Sequence, residues 1–176
     1  KKEGGTVYLN KMLQDTLNPP SSQKNELVFR DGVFRVGDKV MQVRNNYQME
    51  WEDTDGEKGT GVFNGDIGEV TAVDPMNRLV YVLFDDKKVC YGYEQLRELE
   101  LAYVLTVHKS QGSEFPLVIF VAVEGGERLT TRSLLYTAIT RAKSMAILVG
   151  RERAIMRMVE NNRQTKRYSS LSAMLG

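Results

Sequence analysis

Thr106-Val107-His108-Lys109-Ser110-Gln111-Gly112-Ser113-Glu114-Phe115 runs, one proline later, into Leu117-Val118-Ile119-Phe120-Val121-Ala122-Val123. The first segment gathers hydroxyls, the only histidine, a lysine, an amide, a glycine and a carboxylate, and the second is wholly apolar. Polar groups at the mouth of a buried strand mark a site. Downstream, the spacing predicts a helix over 133–143 with Leu134, Leu135, Ala138 and Ile139 on one side. A second buried strand follows over 145–149, then a helix over 151–160 burying Ala154, Ile155, Met158 and Val159. Strand, helix, strand, helix implies a right-handed crossover and a parallel sheet, whose strands are covered on both faces.

Upstream the texture differs. In 6–17, Leu9, Leu13 and Leu17 recur at i, i+4 and i+8 and predict an amphipathic helix. Asn18-Pro19-Pro20 ends it, because proline has no amide donor and disfavours helix in the residue before it. From Phe34 short alternating runs are punctuated by glycine: 36–43 reads as a half-buried strand and 52–60 as an acidic, mobile loop. Ile67 to Val73 and Leu79 to Phe84 flank Asp74-Pro75-Met76-Asn77, a type I turn signal, and Asp85-Asp86 turns the chain into 89–93. Strands so closely spaced suit a small barrel, placed at 34–98.

Composition narrows the function. The longest apolar run falls far short of the roughly 20 residues that span a bilayer, which predicts a soluble, cytoplasmic protein with no membrane partner. One cysteine, Cys90, and one histidine exclude an internal disulfide and a zinc constellation, so no metal site is expected. The net charge of +1 hides segregation: residues 51–100 carry 5 basic and 12 acidic side chains, and 101–176 carry 11 and 5. A basic block beside a phosphate-type motif suits a polyanion, and solvated arginine-rich helix faces give the same count.

On a helix over 133–143, Arg141 falls about 20° and Thr137 about 60° from Leu134, at the flank of the buried face. There an arginine projects into a cleft, where its fixed charge and donor fork match phosphate oxygens. It equally serves a salt bridge at a sheet edge, the commoner role when position alone is considered.

Thr106 to Phe115 resembles motif V of superfamily 1 helicases, and Leu135-Tyr136-Thr137-Ala138-Ile139-Thr140-Arg141-Ala142-Lys143 resembles their motif VI. The Ser-Gln-Gly form and the β insert upstream are most similar to the RecD/TraA-like branch, as are Leu9-Asn10, Gln14 and Leu17-Asn18-Pro19. The resemblance implies an α/β fold: a second RecA-like, P-loop-NTPase-type motor domain formed by 1–33 and 99–176, interrupted at 34–98 by an SH3-like β-barrel. It implies a 5′ to 3′ DNA helicase using ATP with Mg²⁺, akin to the exodeoxyribonuclease V alpha subunit. Arg141 would be the arginine finger, Gln111, Gly112 and Glu114 would lie beside the nucleotide, and Thr106, His108 and Lys109 would face single-stranded DNA. The other partners would be a first motor domain and nuclease-helicase subunits.

No Gly-x-x-x-x-Gly-Lys-Ser/Thr phosphate loop occurs in the 176 residues. The chain alone is therefore expected to be inactive, contributing one half of an ATPase site. Two alternatives compete. A single-stranded-DNA-binding barrel would stack bases on Tyr47, Trp51, Tyr81, Tyr91 or Tyr93, against its acidic balance and the usual place of strand aromatics in a core. A subunit-docking module would use the acidic segment.

Overall fold

A computed structural model of the chain describes residues 5–122 and 130–162. They form two compact units, Lys1–Gly112 and Ser113–Gly176.

The first unit opens with α1 (Thr6–Leu17). Its buried positions are not the expected leucines. Asn10, Gln14 and Asn18 face inward at i, i+4 and i+8, whereas Leu17 is 66% exposed. The leucine stripe lies one residue round the helix from the face that packs, because that face meets polar backbone and a buried carboxylate. A hairpin of β1 (Glu26–Phe29) and β2 (Gly32–Arg35) follows.

The remaining strands of this unit make one antiparallel sheet of seven: β3 (Lys39–Gln42), β4 (Asn46–Glu52), β5 (Lys58–Val62), β6 (Ile67–Asp74), β7 (Leu79–Phe84), β8 (Lys87–Gly92) and β9 (Leu99–Leu101). Their order is β5-β4-β8-β7-β6-β3-β9. β7 alternates strictly, burying Val80, Val82 and Phe84, and Val40, Val70, Val89 and Tyr91 close the same core. Burying each such side chain contributes roughly 1.5–3 kcal/mol.

The expected strand over 36–43 is shorter, since 36–38 form a turn before β3. The acidic stretch expected as a mobile loop is instead a β4–β5 hairpin. The Asp53 carboxylate accepts the N–H groups of Asp55 and Glu57 at 2.9 and 2.8 Å, and Gly56 supplies φ +86°. Side-chain acceptance of turn amides, not flexibility, is what its Asp and Gly provide. The Asp74 turn works the same way: its carboxylate takes the N–H groups of Met76 and Asn77, both at 3.0 Å. Those hydrogen bonds, led by the one from the Asn77 backbone, hold the carboxyl below its usual range.

In the second unit β10 (Phe115–Ala122) pairs in parallel with β11 (Ala142–Gly150), and α2 (Arg132–Ile139) and α3 (Glu152–Glu160) accompany them. The parallel pair and the crossover helix match the expectation, but the burial does not. Leu117, Ile119 and Val121 pair with Met145, Ile147 and Val149 on one face, where all six are 39–59% exposed. Two strands with two helices on hand leave this face uncovered among the described residues. Val123 lies outside them.

α2 also ends earlier than expected. Thr131 caps it by accepting the Leu134 N–H at 3.3 Å. At the other end Thr140 turns its hydroxyl onto the Tyr136 and Thr137 carbonyls, at 3.0 and 3.1 Å, and the chain leaves into β11. Arg141 therefore sits in a turn and not on the helix flank. Ile139 and Val159, expected to be buried, are 38% and 41% exposed. No helix among the described residues is long and apolar enough to cross a membrane.

Candidate functional site

The site is built on a buried carboxylate. Asp38 has no exposed surface. Its Oδ2 accepts from Gln14 Nε2 at 2.6 Å and from the Arg35 backbone N–H at 2.7 Å. Its Oδ1 accepts from Asn18 Nδ2 at 2.7 Å and from the Tyr103 hydroxyl at 2.9 Å. A buried charge is tolerated only when donors replace its water, and here four do. The Arg35 guanidinium is engaged elsewhere, with Glu26 at 2.8 Å and Asp15 at 3.1 Å. Burial works against that guanidinium's charge, but the two carboxylates outweigh it and raise its pKa. Burial, with Asp38 beside it, pushes the Tyr103 hydroxyl up to about 12.

α1 and Tyr103 are thus tied to one anchor, and Asn10 adds a second tie. Its Nδ2 donates to the Val104 carbonyl and its Oδ1 accepts the Val104 N–H, both at 2.8 Å. This amide pairs with the backbone as a neighbouring strand would, fixing the chain just before the motif. Residues 106–111 then wind into a tight turn. The Ser110 N–H reaches the Thr106 carbonyl at 3.1 Å, the Lys109 N–H reaches Thr106 Oγ1 at 3.2 Å, and Ser110 Oγ donates to the Val107 carbonyl at 2.9 Å. Gly112 follows at φ +89° with open space where a Cβ would stand. Glycine is needed there for the backbone direction, and it leaves the turn approachable.

Thr106, His108, Gln111 and Gly112 are exposed, and Lys109 is half-buried, its Nζ 2.6 Å from Glu100 Oε2. Thr106 and Lys109 border a cleft of about 30 Å³ with Thr6, Asn10, Met41 and Leu101. Such a cleft has room for a water.

The remaining motif residues belong to the second unit. Arg141 is held by its backbone, which accepts the Phe115 N–H at 2.8 Å and donates to the Ala138 carbonyl at 3.3 Å. Its Nη1 donates to the Ser113 carbonyl at 3.3 Å, and its Nε is buried with no hydrogen-bond partner among the described residues. A tethered guanidinium with an unsatisfied donor gains from an anionic oxygen brought to it. Glu114 and Lys143, both exposed, pair at 3.4 Å. Within this unit Arg141 meets Ser113 and Lys143 meets Glu114, pairs that are distant in sequence.

The sequence reading passed over Asp38 and Tyr103 and the inward roles of Asn10, Gln14 and Asn18. The available signal was the i, i+4, i+8 spacing of three amides on a predicted helix, a polar stripe that would be costly to bury unless matched.

The two segments that carry these features match domains named for helicases. Residues 9–84 match the ATP-dependent RecD-like DNA helicase SH3 domain, and residues 101–149 match the UvrD-like helicase C-terminal domain. Within that class the chain belongs to the RecD-like helicases. It is 34% identical to the ATP-dependent RecD2 DNA helicase of Deinococcus radiodurans, over 83% of this chain and 18% of that protein. It is 33% identical to the RecBCD enzyme subunit RecD of Mycolicibacterium smegmatis, over 82% and 23%. An uncharacterized protein of Methanocaldococcus jannaschii is 34% identical, over 86% and 14%. The chain thus spans less than a quarter of each of these three relatives. A solved Pif1 helicase from Bacteroides aligns with 86% of this chain and 40% of its own at 17% identity and a TM-score of 0.41, too distant to add to the fold assignment.

Proposed function

We propose that this chain is the region of an ATP-driven 5′ to 3′ DNA helicase that supplies the arginine finger and part of the single-stranded DNA track. The observation that carries the reading is Arg141: a tethered guanidinium beside the 113–115 segment, its buried Nε without a partner among the described residues. Phosphoryl transfer is accelerated by positioning and charge stabilisation, and an arginine at the transferred group is worth roughly 10³–10⁵ in rate. Gln111, Gly112 and Glu114 flank the nucleotide in this reading, and the open space at Gly112 and the open donor of Arg141 both fit such a neighbour. ATP with Mg²⁺ is gripped chiefly by a first motor domain carried elsewhere in the parent, because these 176 residues hold no phosphate loop.

Thr106, His108 and Lys109 contact the DNA backbone without reading sequence, as a translocating motor requires. The exposure of Thr106 and His108 supports this, and Lys109 exchanges its Glu100 partner for a phosphate. α1 and the second unit belong to one RecA-like motor domain, interrupted by the seven-stranded sheet as a closed SH3-like barrel. In favour of this, Asn10 pairs with Val104, so the chain returns after the sheet to the helix from which it left. The uncovered apolar face of β10 and β11 supports membership in a larger α/β domain, since parallel strands are normally covered on both sides. The parent is a cytoplasmic enzyme, and in relatives of the RecD subunit type nuclease-helicase subunits are its partners.

In the full-length parent, Arg141→Ala lowers DNA-stimulated ATP hydrolysis at least 100-fold and changes single-stranded DNA affinity less than threefold, by analogy with other arginine fingers (~10³ or more). Equal losses in both would defeat the finger assignment. The isolated chain hydrolyses no ATP.

A further inference from the structure

At one end of the seven-stranded sheet, the β3–β4 loop with the start of β4 and the β5–β6 loop carry an aromatic platform. Tyr47 is 68% exposed and Phe63 44% exposed, and their rings meet edge to face at 5.7 Å. Large rings left side by side in water cost free energy unless something covers them. These rings are also held in place. A Cβ on Gly61, which has φ +106°, would stand 3.1 Å from the Phe63 ring, so that ring lies directly over glycine backbone. The Phe63 N–H donates to Asp66 Oδ2 at 2.8 Å. Asn45 links the two loops: its Oδ1 accepts the Asn64 N–H at 2.9 Å and its Nδ2 lies 3.4 Å from the Tyr47 hydroxyl. By contrast Tyr91 is fully buried, and Trp51 and Tyr93 pack against the core. Of the other candidates Tyr81 is half-buried, on the face of β7 opposite the core and under Lys88, so Tyr47 is the exposed ring of the five, and Phe63 joins it.

The charges around the platform favour one class of ligand. Arg44, next to Asn45 in the chain and exposed, has no carboxylate partner among the described residues. Asp66 and Glu98 are engaged, Asp66 with the Phe63 N–H and Glu98 with Asn46 Nδ2 at 3.0 Å and Gln42 Nε2 at 3.2 Å. Exposed rings supply stacking surface, and an arginine without a carboxylate partner among the described residues supplies phosphate affinity; together these match unpaired nucleobases on a phosphodiester chain. A proline-rich peptide also docks on aromatic rings, but the platform lacks a free acid for the basic residues such peptides carry. Only Val43 separates Gln42, the last residue of β3, from Arg44, and the neighbouring β3 residue Met41 lines the cleft bordered by Thr106 and Lys109.

We infer that Tyr47 and Phe63, with Arg44, form a base-stacking site for single-stranded nucleic acid on the β module, distinct from the 106–112 segment. The inference rests on the helicase reading only in its choice of nucleic acid as partner. The test is fluorescence anisotropy of the intact chain with a labelled dT12 and with an abasic oligomer of equal length, at fixed low salt. Tyr47→Ala and Phe63→Ala each weaken dT12 binding about 5- to 100-fold, the range carried by one stacked base. Tyr47→Phe stays within about twofold of wild type, and the abasic oligomer binds wild type no better than it binds the alanine variants. Because both rings are exposed, unchanged thermal melting confirms that the variants are folded. Equal binding of dT12 by wild type and both alanine variants overturns the site, as does a proline-rich peptide that shifts the Tyr47 ring resonances when dT12 does not. Lys109→Ala separates the two readings: if it weakens dT12 while the ring variants do not, the platform fails and the helicase track survives.

Discussion

Replacing Asp38 by Asn removes one charge and one acceptor oxygen while barely changing shape. The native carboxylate meets four donors, two on each oxygen, at 2.6–2.9 Å in a site with no exposed surface. An amide accepts at its single oxygen, and its own N–H groups then oppose the other two donors. Each buried donor left unsatisfied costs about 1–3 kcal/mol, so the substitution costs roughly 4 kcal/mol, a large part of the ~5–15 kcal/mol typical of a folded domain. With a urea slope near ~2 kcal/mol/M the unfolding midpoint falls by about 2 M. Fluorescence of Trp51, the only tryptophan, reports the unfolding of the seven-stranded unit. Hydrogen exchange at the Val104 amide, which is held by Asn10 on the same helix, accelerates in parallel. A midpoint loss worth less than ~1 kcal/mol, or unchanged exchange at Val104, would show that the cluster does not anchor the motif segment.

Three further outcomes follow from the geometry. Gly59→Ala places a Cβ 2.3 Å from the Trp51 ring, and overpacking of this kind lowers stability by about 1–3 kcal/mol, read as a drop in thermal midpoint. Gly112→Ala meets no neighbour but inherits φ +89°, so its cost is conformational, about 1–2 kcal/mol, and shows in the same melt. The Tyr103 hydroxyl is pushed up to about 12, so the fold favours its neutral form. That contribution is complete below the ordinary tyrosine value near ~10 and is lost as pH rises through 12. Denaturation midpoints between pH 9.5 and 12 therefore fall less steeply for Tyr103→Phe than for wild type. The buried Tyr91, also raised, keeps part of the slope in both.

The two motifs and the β module were legible because each has a local signature: turn residues at 74–77 and 85–86, period-two alternation in β7, and the polar decade before an apolar run. Three features were not. The leucines of α1 suggested one buried face and the structure buries the neighbouring one, since its partner, Asp38, is distant in sequence and cannot be inferred from helix periodicity. The end of α2 depends on two hydrogen bonds from one threonine hydroxyl, which a helical projection ignores, and so Arg141 was placed on a helix it has already left. The apolar run of β10 correctly signalled a parallel strand, but composition does not say which chain segment covers each face. The same limit separated Tyr47 from Tyr91: in alternating strands both read as aromatic, and only the packing of the seven-stranded sheet around its core decides which one meets solvent.

The most direct test of the finger role proposed for Arg141 uses the full-length parent and compares ADP alone with ADP plus aluminium fluoride, a mimic of the phosphoryl group in transfer. A group that stabilises transferred charge binds the mimic far more strongly than it binds the product. Arg141→Ala should weaken the aluminium fluoride complex by at least ~100-fold while leaving ADP affinity within about threefold. Equal weakening of both, or of neither, would contradict it.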